Sequence, residues 1–275
     1  MNQSDQRNIS MMMDLYEMTM ANGYFQDPGA EDLVTFDVFY RKNPDGAGFA
    51  IFAGLEQVLD YLEGMHFDDA DIAYLRSLHI YAEDFLDWLR DFRFRGNVRA
   101  LPEGSIMYPN EPILTVEAPL IDAQLVETAI LAQVNHQSLI ATKTNRIVRS
   151  AEGRLVADFG ARRAHNVDAA VYGARAAYIG GVASTATMLA GEMFGTPVSG
   201  TMAHSWVMYH DDEYTAFKRF AEIYPDNSVL LVDTYDVLAS GVPNAIRVFQ
   251  EMKDAGISPR KLGIRLDSGD LAYLS

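Results

Sequence analysis

Apolar residues recur along this chain at two different periods, and the rhythm changes near residue 122. From Leu33 to Tyr40 apolar and polar side chains alternate, and a turn signal follows at Asn43-Pro44-Asp45-Gly46, so a strand is predicted. The stretches Asp14 to Tyr24, Gly54 to Leu62 and Asp68 to Leu78 carry helical spacing instead. Between residues 93 and 117, Val98, Ile106, Ile113 and Val116 stand among Gly and Pro, a pattern of short antiparallel strands. Residues 1–122 therefore read as an α+β domain.

Ala123 to Ser150 is a long helical pattern with a basic end, the end a helix dipole favours for positive charge. Beyond it strand and helix alternate. Strand-like runs fall at residues 155–160, 177–181, 197–201, 229–233 and 262–267, with helical segments at about 164–175, 184–194, 211–224 and 240–255. Such alternation implies parallel strands joined by helical crossovers, an α/β domain over residues 123–275. The strands end in chemically interesting residues: Asp158-Phe159-Gly160, Gly180-Gly181, Ala203-His204-Ser205, Asp233-Thr234-Tyr235-Asp236 and Arg265-Leu266-Asp267-Ser268-Gly269-Asp270. A barrel brings all its strand ends to one mouth, whereas an open sheet brings together only those at its switch point, so an irregular α/β barrel is the favoured architecture. A closed barrel needs about eight strands, and these runs supply fewer. Either the barrel is incomplete at its C-terminal side, or earlier segments add strands, or the sheet is open.

Composition narrows the function classes. The 275 residues are 49% apolar, enough for one large core or two smaller ones. No cysteine is present, which excludes disulfides, thiolate catalysis and Cys-ligated metals and fits a cytoplasmic protein. The N-terminus lacks a secretory signal pattern and no apolar run is long enough to span a membrane. The net charge of −16 argues against a nucleic-acid partner. One basic island interrupts the acidity, with Lys143, Arg146, Arg149, Arg154, Arg162, Arg163 and Arg175 in a short span. It is either an anion site or a solvated helix face.

Among six histidines, His204 is the one placed at a strand end between small residues, where an imidazole can act as nucleophile or proton carrier. No metal-ligand spacing is present. In Asp158-Phe159-Gly160-Ala161-Arg162-Arg163, the Phe can stack on a planar ring while an Arg holds a negative group, or the Phe is core and the Arg pair solvated. Arg265 and Asp267 share one strand face and can pair with each other or line a site. Asp233 and Asp236 suit sugar hydroxyls or magnesium, unless one of them caps the following helix. The run STATMLAG, Ser184 to Gly191, opens a helix, whose free N–H groups suit either a phosphate or an ordinary cap.

Taken together, DLYEMTMANGYF (14–25), DFGARRAH (158–165), GTMAHS (200–205), VDTYD (232–236) and IRLDSGD (264–270) resemble, in order, the nicotinate phosphoribosyltransferases of the type II phosphoribosyltransferase group. The resemblance implies synthesis of nicotinate mononucleotide and pyrophosphate from nicotinate and phosphoribosyl pyrophosphate, in the salvage route of NAD biosynthesis. It implies coupling to ATP hydrolysis through a phosphohistidine, which places the enzyme among the ligases although its chemistry is pentosyl transfer, and it implies Mg2+ and a homodimer. Carried over by motif, His204 is the phosphorylated histidine, with Asp233 and Asp267 as catalytic carboxylates. Phe159 and Tyr16 sandwich the pyridine ring, the Tyr coming from the other subunit and accompanied by Asp14. Arg265 meets the ring's carboxylate, Arg162 belongs with Asp233 and Asp267 around the sugar and phosphates, and Thr185 is a further substrate-binding residue. Nicotinamide-using relatives carry an acid soon after the second barrel strand, and residues 180–191 hold none, which favours a carboxylate substrate. Two departures stand out. Ser184-Thr185-Ala186-Thr187 replaces the family's Gly-Thr-Ser-Asn, and the later Gly-rich loops that hold the 5′-phosphate are missing. An inactive fragment or binding module, a nicotinamide-using relative and an unrelated barrel enzyme such as an aldolase are the alternatives. The last lacks a lysine at any strand end.

Overall fold

The computed structural model describes residues 7–275, which form two units, one ending at Ser199 and the other running Gly200–Ser275. In the first, helix α1 (Leu15–Gln26) precedes β1 (Leu33–Val38) and β2 (Ala50–Ile51). Helices α2 (Leu55–Gly64), α3 (Asp69–Ser77) and α4 (Glu83–Arg90) follow, then β3 (Asn97–Ala100), β4 (Ile106–Met107) and β5 (Leu114–Pro119). The strands at 33–40 and 93–117 are as the alternation predicts. β5 lies centrally between β1 and β3 in an antiparallel sheet, with Phe36 opposite Val116 and Val98 also opposite Val116. Its Leu114, Val116 and Ala118 are buried every second residue, the signature of one face on a core. α3 starts where Asp68 accepts from the Ala70 and Asp71 N–H groups.

Helix α4 has no counterpart among the sequence-based assignments, although Phe85, Leu86 and Leu89 have helical spacing. All three are buried, and Phe85 stacks on Trp88 with ring centroids 6.0 Å apart. At eight residues it would not persist alone, so this core contact is what makes it a helix.

A short helix α5 (Leu120–Leu125) leads into α6 (Glu127–Ser150), about 36 Å long at the standard rise. The start of α2 comes so near α6 that a Cβ on Gly54 would sit 2.7 Å from the Gln133 carbonyl oxygen, and its φ of +108° also requires glycine. The unit continues with β6 (Ala157–Asp158), α7 (Val167–Ile179), β7 (Ser184–Thr185) and α8 (Met188–Phe194). Here the structure corrects two expectations. Residues 177–179 are the last turn of α7, because Ala174, Ala176 and Ala177 are good helix formers buried in the interior, Ala176 in one cluster with Ala141 of α6. The strand instead is Ser184–Thr185, which pairs parallel with β6, and of the 197–201 run only Val198 makes a bridge, to Thr185.

The second unit contains α9 (His204–Tyr209), α10 (Glu213–Ile223), β8 (Asn227–Leu231), α11 (Val242–Asp254), β9 (Lys261–Arg265) and α12 (Leu271–Leu274). β8 and β9 run parallel, Leu231 opposite Arg265. Phe217, Phe220, Leu230, Val232 and Val248 pack together beside them. Truncating the fully buried Phe217 to alanine is expected to cost about 3–5 kcal/mol, measurable by urea denaturation. The mixed α/β class matches expectation. No closed barrel forms among the described residues, whose parallel strands pair as β6 with β7 and β8 with β9.

Candidate active site

In the second unit the chain brings four of the expected residues together. His204 opens α9 rather than ending a strand, because residues 200–203 join no sheet; Ala203, the residue before the helix, is extended. Its Nε2 lies 3.1 Å from Oδ1 of Asp233, just past the end of β8. The other carboxylate oxygen of Asp233 accepts from the Asp267 backbone N–H at 2.8 Å and from the Ser268 hydroxyl at 2.7 Å. Both donors follow β9, so the parallel β8–β9 pairing is what delivers them. Arg265 pairs with the Asp267 carboxylate and donates to the Met202 carbonyl at 3.3 Å. The two side chains that share a strand face thus do pair with each other.

Burial opposes ionisation of Asp233, but the Ser268 hydroxyl, the Asp267 N–H and the His204 ring together hold its carboxyl below the usual range. An ionised carboxylate only accepts, so Nε2 of a neutral His204 carries the proton and Nδ1 keeps its lone pair. The Asp233 side chain is 2% exposed, while that of His204 is 37% exposed. A partly exposed imidazole held at Nε2 by a buried carboxylate is the arrangement of an oriented nucleophile or proton carrier. Ser268, visible in the sequence only as part of a motif, completes the donor set around Asp233. Asp236 turns out to be a cap: its Oδ1 accepts from the Leu238 and Ala239 N–H groups.

In the first unit, Asp158 and Thr185 face each other in the β6–β7 register, and the Thr185 hydroxyl donates to the Asp158 carboxylate at 2.9 Å. Thr185 is fully buried and also accepts from the Thr187 N–H, so its hydroxyl acts on Asp158 and the loop. Phe159, 42% exposed, lines a hollow of about 410 Å³ together with Ile147, Val156, Lys143 and Arg163. Arg162 is exposed in the 3-10 turn Ala161–Arg163. Tyr16 and Asp14 lie beside a different hollow of about 950 Å³, with Phe39, Glu127 and Leu131. Burial and then the neighbouring Glu127 carboxylate push the Tyr16 hydroxyl up to about 12, so it stays neutral at physiological pH. The basic island is largely spoken for. Lys143 and Arg146 meet Asp45, Arg154 reaches Glu152, Arg149 lies over the Phe49 ring, and Arg175 is buried against Glu56 and Glu103; Arg162 and Arg163 are exposed.

Residues 11–135 match the nicotinate phosphoribosyltransferase N-terminal domain, and residues 155–274 match the nicotinate phosphoribosyltransferase family model. The chain belongs to the nicotinate phosphoribosyltransferase family. It is 50% identical over 98% of its length to nicotinate phosphoribosyltransferase of Bacillus subtilis and 46% identical over 97% to one from Mycobacterium tuberculosis. It spans only 54% and 56% of those relatives. The crystal structure of human nicotinic acid phosphoribosyltransferase superimposes with a TM-score of 0.86 at 33% identity, over 94% of this chain and 61% of that one. Nicotinate-nucleotide pyrophosphorylase from Pyrococcus furiosus follows at TM-score 0.74 and 26% identity, over 97% and 60%.

For this family member, the depressed carboxyl of Asp233 makes an acid prediction. A lowered folded value contributes stability that is full above the unfolded value, near 3.8, and is lost as pH falls through the folded value. Ser268→Ala removes one of the bonds that lower it. Circular dichroism against pH is expected to show acid unfolding beginning at a higher pH in that variant than in the parent.

Proposed function

We propose that this chain carries out the chemistry of a nicotinate phosphoribosyltransferase. Nicotinate's ring nitrogen attacks C1′ of phosphoribosyl pyrophosphate, and the C1′–O bond breaks with its electron pair leaving on pyrophosphate. Nicotinate mononucleotide is the product, as in the salvage route of NAD biosynthesis. The observation that supports this most is the His204–Asp233 pair, backed by Asp267 and Ser268, in a chain of this family.

Each residue has a role in this reading. Nδ1 of His204 takes the γ-phosphoryl group of ATP while ADP leaves, and hydrolysis of the phosphohistidine returns the free imidazole. The added negative charge changes affinity for pyrophosphate and phosphoribosyl pyrophosphate between half-reactions, which couples ATP to synthesis. Asp233 and Asp267 stabilise positive charge developing on the ribose. Phe159 stacks on the pyridine ring, Tyr16 of a second copy covers its other face in a homodimer, and Asp14 accompanies that Tyr. Arg265 holds the nicotinate carboxylate and Arg162 belongs with the sugar and phosphates, while the buried Thr185 contributes to substrate binding indirectly, through its hydrogen bond to Asp158.

Among the described residues no cluster of three or more acidic or histidine side chains is arranged to grip a metal ion. Mg2+ typically keeps phosphate and water ligands with only one or two carboxylates, so the residues present fit an ion that enters on the substrates' phosphates. When bound it would neutralise leaving-group charge. A cytoplasmic setting goes with these substrates; among the described residues no helix is long and apolar enough to cross a membrane.

The test is a coupled assay of the 275-residue protein with nicotinate, phosphoribosyl pyrophosphate, Mg2+ and ATP, with nicotinamide as the control substrate. Mononucleotide from nicotinate is expected. Product from nicotinamide alone would reverse the substrate assignment. Saturable nicotinate binding without turnover would favour a binding module, a reading that the chain's 54% span of its relative makes specific. ATP stimulation that survives His204→Asn would remove the phosphohistidine from the scheme.

A further inference from the structure

Behind the His204–Asp233 pair lies a buried acid that the roles above leave unused. Glu213, at the start of α10, is 3% exposed. One of its carboxylate oxygens accepts from the Ser240 hydroxyl at 2.5 Å, and the other is buried without a well-formed hydrogen bond, the neighbouring Asn244 amide donating instead to the Ser240 hydroxyl at 3.3 Å. A buried oxygen left without one is costly, so its retention calls for a reason. Burial raises the Glu213 carboxyl, the Ser240 and Asn244 side chains oppose that, and the charge of Asp236 adds to the rise.

Ser240 belongs to a wide π-type turn, Val237–Gly241. The N–H groups of Ser240 and Gly241 both reach back to the Asp236 carbonyl, at 3.0 and 2.8 Å. Such a turn is rare because the ordinary α spacing is more favourable, so contacts outside the backbone must hold it open. Its inner end, Gly241, presses on the strand end that carries Asp233: a Cβ there would lie 1.9 Å from the Val232 carbonyl oxygen. Val232 is held from the other side by its N–H bond to the Arg265 carbonyl at 3.1 Å. Asp233 is the next residue. The contacts therefore run unbroken from Glu213 to Ser240, to the Gly241 backbone, to Val232 and to the carboxylate that orients His204.

We propose that Glu213 is a positioning residue for the His204–Asp233 pair, acting through the Ser240 hydroxyl and the wide turn at 237–241. It touches no reacting atom. It keeps the turn from relaxing to α spacing, and so keeps Val232 and Asp233 where the carboxylate meets Nε2. The inference deepens the proposed function and rests on it for its catalytic meaning, but its geometry can be read without any turnover.

The test is the tautomer of His204, followed by long-range ¹H–¹⁵N NMR on the ¹⁵N-histidine-labelled 275-residue protein, with His204→Asn to assign the signals. The parent is expected to show neutral His204 almost entirely as the Nε2–H form. Glu213→Gln, which keeps an acceptor for Ser240, should retain that pattern. Ser240→Ala and Glu213→Ala should lower the ratio of Nε2–H to Nδ1–H by at least roughly tenfold, the shift that about 1.4 kcal/mol of lost orientation gives. If Glu213→Ala does not fold, Ser240→Ala decides alone, since it deletes one oxygen atom. Folded Ser240→Ala with parental His204 signals would overturn the inference, as would a parent without the Nε2–H preference. In a phosphorylation assay with labelled ATP, the same variants should lose rate with little change in the KM for ATP, and Glu213→Gln should restore it. Absence of phosphorylation in the parent would count against the proposed function and leave the tautomer result standing.

Discussion

In the proposed scheme Asp233→Asn is expected to slow phosphoryl transfer from ATP to His204 by about 10³–10⁴-fold, the scale on which an orienting carboxylate supports a catalytic histidine. The carboxylate accepts three hydrogen bonds with no donor of its own, from His204, the Asp267 N–H and the Ser268 hydroxyl. An amide has one oxygen and one NH2 group, so one end of the substituted side chain must present a donor. Turned toward His204, the NH2 favours the Nδ1–H tautomer and removes the lone pair that would attack phosphorus. Turned the other way, it faces two donors and strains the loop after β9. Single-turnover labelling of the protein with γ-labelled ATP measures the effect. A variant that keeps more than a tenth of the parental rate would mean that Asp233 does not activate the histidine.

Gly241→Ala is the second large effect, and it falls on stability. The added carbon would stand 1.9 Å from the Val232 carbonyl oxygen and 2.7 Å from its carbon, both backbone atoms that cannot swing aside as a side chain tip can. The turn or the strand end must move, and overpacking of this kind costs about 3 kcal/mol or more. For a chain of this size that corresponds to roughly 5–10 °C in Tm. Gly263→Ala on β9 is the control. Nothing lies within 4 Å of a Cβ there, and the change is expected to stay within about 0.5 kcal/mol. Equal melting points for the two variants, by calorimetry, would show that the wide turn does not clamp the strand.

The two variants mark different kinds of legibility. Asp233 stood out in the sequence because an acid directly after an apolar run is a recognisable pattern, and the helical and strand periods of most elements were equally plain. The π-type turn carried no such signal. Ser240-Gly241 reads as an ordinary helix start, and the need for glycine arises only when Val232 comes up against it. Glu213 follows the capping residue Asp212 and looks like the usual acid of a first helical turn. Its burial, and the raised carboxyl that follows, come from the packing of α10 on the turn. The 177–181 run, a strand by pattern and the end of a helix in the fold, carries a related ambiguity. Small apolar residues satisfy both a buried strand and a buried helix, and contact with α6 decides between them. The Asp233–Asp236 pair shows the same limit, since only the backbone path reveals that Asp236 is spent on capping the turn while Asp233 is not.

The sequence by itself determined the α/β alternation and the motifs that mark this chain's family, because periodicity and residue type are local properties. It also determined which histidine and which acids were candidates for chemistry. Only the tertiary structure decided which oxygen of Asp233 meets Nε2 of His204, that Ser268 and the Asp267 N–H hold its other oxygen, and that Glu213 reaches the turn behind it. Those are distances between residues tens of positions apart, and they exist only once β8 and β9 lie side by side and α10 closes over the turn.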